Sequence, residues 1–133
     1  MSNAVPLPHP RSLVTLARFG TVGAVTAVAY VAGFAALVEL GLRDTTASIA
    51  AYLAAIAIQF MGHRTFTFPT SARLGHSVAR FVVANGLGLG FSTALVVTLR
   101  DGMGIGALTT GLIVTLAMAS MNWVIFRKWV FRP

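Results

Sequence analysis

Five basic residues in this 133-residue chain stand where a phosphate group could be held: Arg18, Arg64, Arg80, Arg127 and Lys128. A guanidinium suits that task because its planar fork meets two phosphate oxygens at once. All five flank long apolar runs, a placement that equally suits snorkelling and topology anchoring. Two amides, Gln59 and Asn122, lie about one turn further into the apolar runs than Arg64 and Arg127. A buried amide in an apolar surround needs a partner, either another helix or a substrate hydroxyl. Glu39 is the only charge inside the first apolar run. It could meet sugar hydroxyls or carry a proton, or pair with Arg43 at the favourable i,i+4 spacing. His63, beside Arg64, reads as a solvated or headgroup residue. Phe66, Trp123 and Trp129, with Phe68 and Phe131, form an aromatic set around the same charges. An aromatic belt at a membrane interface is the plain reading, and stacking on a sugar or packing on a prenyl chain is the sharper one.

No catalytic constellation accompanies these residues. The three acids, Glu39, Asp44 and Asp101, share no face, and the histidines lack metal-ligand spacing. There is no cysteine, so thiol chemistry and disulfides are excluded. A glycosyltransferase using nucleotide sugars would need a sizeable soluble domain, for which the chain has no room. A non-enzyme is expected, with no cofactor and no metal. Gly86-Leu87-Gly88-Leu89-Gly90 lies inside an apolar run with no strand before it, so it is not read as a phosphate loop. Small residues at four-residue spacing (Ala84, Gly88, Ser92 and Gly86, Gly90, Ala94) suit close helix packing instead, as do Gly104, Gly106 and Gly111.

The elements that must position these groups follow from hydropathy. The chain is 56% hydrophobic and only 10% charged, against about 25% charged in an average soluble domain. Four stretches approach or exceed the length needed to cross a bilayer: Phe19–Leu42, Thr45–Gly62, Phe81–Leu99 and Gly102–Phe126. They are apolar all round and do not alternate, so helices are expected and a β-barrel is not. The expected fold is an all-α membrane protein of four transmembrane helices, with a disordered tail over residues 1–13 and one domain over 14–133. Connections fall at Arg43-Asp44, His63–Arg80 and Arg100-Asp101, so the spans pair as two helical hairpins. The net charge of +7 would suggest nucleic acid in a soluble protein, but here the basic residues punctuate apolar runs and a membrane surface is the better partner. One side of the expected topology carries Arg11, Arg18, Arg64, Arg73, Arg80, Arg127, Lys128 and Arg132, and the other only Arg43 and Arg100. The positive-inside rule then places both termini and the middle loop in the cytoplasm.

The hairpins also repeat. Arg18-Phe19 opens the first span and Arg80-Phe81 the third, 62 residues on. Gln59, Arg64, Phe66 and Phe68 close the second span, and Asn122, Arg127, Trp129 and Phe131 close the fourth, 63 residues on. Repeats 18–68 and 80–131 thus read as a duplication with the same topology, related by an axis near the membrane normal.

These same residues carry a family resemblance. Arg18-Phe19-Gly20-Thr21-Val22-Gly23 matches the Arg-Phe-x-x-Val-Gly start of the GtrA-like family of small four-span membrane proteins. Arg64-Thr65-Phe66-Thr67-Phe68 and Arg127-Lys128-Trp129-Val130-Phe131 resemble the Arg-x-Trp-x-Phe end of its hairpins. His63 and Phe126 replace the family's asparagine before that arginine, and an acidic residue found in many members falls at Tyr30. The resemblance implies work on polyprenyl-phosphate-linked sugars for cell-envelope polysaccharide. The chain would flip such a lipid across the cytoplasmic membrane or, alternatively, anchor a partner glycosyltransferase. Four spans form a narrow bundle, so a homo-oligomer is expected for a transport path. A small drug exporter is a third option, but it needs a carboxylate deep in the first span, and Glu39 is too near the edge.

Overall fold

The computed structural model describes residues 10–133, which are helical with no strand. Helix α1 spans Pro10–Glu39, α2 Asp44–Gly62, α3 Leu74–Val97 and α4 Ala107–Ile125. Each of α2, α3 and α4 runs on into a single closing π turn, at His63–Thr67, Thr98–Gly102 and Phe126–Val130. With those turns, all four helices are long and apolar enough to cross a membrane. The chain divides into two compact units, the first ending at Pro69 and the second beginning at Thr70. Each unit is one helical hairpin.

The boundaries differ from those read off hydropathy, for one physical reason. Polar side chains lower hydropathy without breaking a helix, which ends only where its backbone is forced to turn. Residues 10–13, expected in the tail, form the first turn of α1, and the rest of that tail lies outside the described residues. At 30 residues, α1 is about 45 Å long and outruns a hydrocarbon core of about 30 Å. The expected loop His63–Arg80 shrinks to residues 68–73, because polar Arg64, Thr65 and Thr67 stay helical and α3 starts at Leu74. Arg100 and Asp101 belong to a closing turn, and the chain reverses at residues 103–106.

The first reversal shows why Glu39 and Arg43 do not pair. Gly41 adopts φ +92°, and its N–H donates to the Val38 carbonyl while that of Leu42 donates to Leu37. This glycine-capped end removes Arg43 from the helix, so the i,i+4 geometry never forms. Gly104, at φ +67°, turns the second hairpin. It serves the backbone there and not helix packing.

Small residues hold the first hairpin closed. Ala47, Ala51 and Ala55 form a buried stripe on α2, and Gly33 of α1 approaches Ala51 closely enough that an added Cβ would lie 3.7 Å from its Cβ. The Tyr30 hydroxyl shares a 3.0 Å hydrogen bond with the Ser48 hydroxyl across the pair. Of the candidate packing residues on α3, Ala84 and Gly88 are buried beside Ser77 and Phe81. Gly86, Gly90 and Ala94 are exposed, because they lie on the opposite face.

The outer surface is that of a membrane protein. Leu89, Leu108 and Leu116 are 69%, 80% and 69% exposed, an apolar area that water would not tolerate. Hydroxyls on the spans return to their own helix: Thr21 donates to Ala17, Thr26 to Val22, Thr93 to Leu89 and Ser120 to Leu116. Such bonds remove the cost of a bare polar group in hydrocarbon. The protein is a multi-pass membrane protein.

Candidate functional site

A helix leaves its last carbonyls without partners, and in an apolar surround each is expensive. Both hairpins solve this problem with the same residues. In the first, the Phe68 N–H donates to the His63 carbonyl at 2.7 Å, closing the π turn. Arg18 Nη1, from α1, donates to the Phe66 carbonyl at 3.3 Å, and its guanidinium carbon lies 5.0 Å from the centre of the Phe66 ring. In the second, the Phe131 N–H donates to the Phe126 carbonyl at 3.2 Å. Arg80 Nη1, from α3, donates to the carbonyls of Trp129 at 3.0 Å and Arg132 at 3.2 Å. Arg18 and Arg80 are thus equivalent positioning cations, each drawing the end of its hairpin back to the start.

An aromatic triad seals each closure. Phe19 stacks on His63 with centroids 4.9 Å apart and meets Phe68 edge-on at 6.4 Å. Phe81 packs on Phe126 at 5.4 Å, and Phe126 meets Phe131 edge-on at 5.8 Å. The stacked Phe19–His63 pair and the edge-on Phe19–Phe68 and Phe126–Phe131 pairs have geometries favoured for aromatic rings, while Phe81 lies tilted on Phe126. His63 therefore is not a solvated headgroup residue: it is 1% exposed. At the start of the π turn that closes α2, it continues the Ala47-Ala51-Ala55 stripe onto the face that meets α1, which adjacency to Arg64 could not reveal.

The two triads differ in one exchange. His63 Nδ1 shares a 3.1 Å hydrogen bond with Thr67 Oγ1, and the equivalent pair in the second hairpin is Phe126 and Val130, both fully buried. Replacing both members of a buried polar pair by apolar groups of similar shape costs far less than replacing one. We expect Thr67→Val to destabilise by about 1 kcal/mol and His63→Phe with Thr67→Val to recover most of that loss. A double-mutant cycle read by denaturation in detergent checks this, and additive losses would refute it.

The remaining candidates take varied places. Arg64 is half-buried, and Arg127 is exposed with its guanidinium carbon 5.7 Å from the Trp123 ring centre. Lys128, Phe66 and Trp129 are exposed. Gln59 and Asn122 are half-buried, and neither shows a side-chain hydrogen bond among the described residues. Tyr30 is a helix-to-helix contact through Ser48. Glu39 is the exposed last residue of α1.

Two open clefts lie beside the positioning arginines. That of the second hairpin, about 300 Å³, is lined by Ser71, Ala72, Arg73, His76, Arg80, Arg132 and Pro133. That of the first, about 410 Å³, is lined by Arg11, Val14, Thr15 and Arg18. Arg11, Arg73, His76 and Arg132 fall outside the candidate set read from the motifs. For Arg11 and Arg73 the signal is an extension of the repeat, an arginine seven residues before each Arg-Phe and again 62 apart; His76 and Arg132 have no counterpart in the first hairpin.

A family model described as GtrA/DPMS, transmembrane domain, matches residues 18–131. No curated protein matches the chain.

Proposed function

The chain belongs to the GtrA/DPMS transmembrane-domain family, and on that premise we propose that it moves a polyprenyl-phosphate-linked sugar across the cytoplasmic membrane for cell-envelope polysaccharide. Both termini face the cytoplasm in this reading, since four crossings return the chain to its starting side and the basic residues cluster there. The observation that carries it is the paired closing turn: each hairpin ends in an arginine, an aromatic ring and a half-buried amide beside the expected headgroup layer. Arg18 and Arg80 each commit one nitrogen to backbone carbonyls, and a guanidinium has five N–H donors. Donors beyond that one, with Arg64, Arg127 and Lys128, can meet phosphate oxygens. Gln59 and Asn122 supply amides for sugar hydroxyls one turn deeper. The protein forms and breaks no covalent bond; it lowers the barrier to moving a polar head through hydrocarbon. A homo-oligomer provides the walls of the transport path.

Liposomes carrying labelled polyprenyl-phosphate sugar test the proposal. We expect the purified chain to raise the flipping rate at least tenfold over protein-free liposomes, and equal rates would sink it. The anchor reading draws on exposed Phe66, Lys128 and Trp129 as a docking surface. It replaces the first if flipping is absent and a glycosyltransferase co-purifies.

A further inference from the structure

We propose that the cleft at the start of α3 is a phosphate-binding site, with Arg73, His76 and Arg132 as ligands that the family motifs do not include. The proposal rests on the lipid-linked-sugar reading for the source of the phosphate, and on the cleft alone for the chemistry.

Three features meet there. The first is geometric. Arg73, His76 and Arg80 fall at i, i+3 and i+7, which is one face of a helix, and all three line the cleft. Arg132 comes from the other end of the hairpin, and Arg80 sets its backbone by donating to its carbonyl at 3.2 Å. The second is electrostatic. Three guanidiniums converge on a cleft in a hairpin whose only acidic side chain is Asp101. At 1.5 Å per residue along α3, Asp101 stands roughly 40 Å away, several Debye lengths at physiological salt. No acidic side chain lines the cleft, and even with a carboxylate at Pro133 the excess of guanidiniums is complementary to an added anion. The α3 dipole adds to the same potential, since Arg73 at its N-cap makes no side-chain cap. The third is comparative. The first hairpin keeps the same two arginines, as Arg11 and Arg18, but has Val14 at the position of His76 and Pro69 at that of Arg132. The duplication has therefore diverged towards a fuller donor set in one copy only. Guanidinium forks and an imidazole N–H are the donors that suit tetrahedral phosphate oxygens.

The test titrates the full-length protein in detergent with farnesyl monophosphate, and separately with inorganic phosphate, by calorimetry. Arg73→Gln with Arg132→Gln is the informative variant, because Arg73 and Arg132 are exposed and Arg80 must stay to close the hairpin. We expect a loss of at least tenfold in affinity for farnesyl monophosphate, against less than twofold for Arg11→Gln. Displacement by millimolar inorganic phosphate would support the site with free phosphate as a ligand. Resistance to displacement would support it with lipid-borne phosphate as the ligand. No binding by the parent, equal affinity in the double variant, or an equal loss in Arg11→Gln would each overturn it. Flipping without cleft binding removes the site and leaves the transport reading; cleft binding without flipping does the reverse.

Discussion

Phe126→Ala lowers the stability of the second hairpin by about 2–3 kcal/mol, the largest effect expected of any single substitution here. Phe126 is fully buried between Phe81 and Phe131. It also supplies the carbonyl that closes the π turn, so the cavity opens where the backbone is least able to relax. Phenylalanine-to-alanine changes in water-soluble cores cost about 3–5 kcal/mol. A membrane protein loses less, because a phenylalanine released from its site is still solvated by lipid and only packing is forfeited. The chain's two tryptophans, Trp123 and Trp129, flank the site, so intrinsic fluorescence during denaturation in detergent reads this hairpin. A midpoint unchanged from the parent would show that the triad does not hold it. A leucine in place of alanine should restore part of the loss.

Gly62→Ala carries the second large effect, about 1–3 kcal/mol of overpacking, and the instructive comparison is Gly88→Ala. A Cβ added at Gly62 would sit 2.9 Å and 3.1 Å from the two γ-methyls of Val22. Val22 is buried at 6% exposure, and a β-branched side chain in a helix has essentially one rotamer. It cannot swing away, so α1 must shift and strain the Arg18 closure four residues earlier. A Cβ at Gly88 would also come within 2.9 Å of an atom, but that atom is the terminal methyl of Met118. A methionine end group re-packs readily, so Gly88→Ala is expected within about 0.5 kcal/mol of the parent. Equal thermal midpoints for the two variants would contradict the argument. The pair shows that distance alone does not set the cost of a small-to-large change; the stiffness of the neighbour does.

Much of the molecule was legible in the residues. Four apolar runs imply four spanning helices, because hydrocarbon tolerates no backbone left unbonded. The Arg-Phe starts, 62 residues apart, and the Arg-x-aromatic-x-Phe ends, 63 apart, announce two copies of one hairpin. The glycine at position 41, which hydropathy left inside the first span, ends the helix with a positive φ. What hydropathy blurred was every boundary next to a polar residue. Arg64, Thr65 and Thr67 looked like loop, yet the helix continues through them and tightens the connection to six residues.

The candidate site divides along the same line. That Arg18 pairs with Arg80, and Phe66 with Trp129, as matching members of two repeats was determined by the sequence alone, since type and spacing recur in both halves. What each does, only tertiary structure decided. Arg18 meets the carbonyl of a residue 48 positions later, and Arg80 meets carbonyls 49 and 52 positions later. No local pattern encodes which carbonyl a guanidinium reaches. His63 shows the converse. It is followed in the chain by polar Arg64 and Thr65, but its neighbours in space are Phe19 and Phe68, because burial depends on which helix face meets a partner. Arg73 and Arg132 entered the sequence reading only as charges that set an orientation, and His76 did not enter it. Only the fold, by returning the chain's last residues to the first turns of α3, turned them into one cleft.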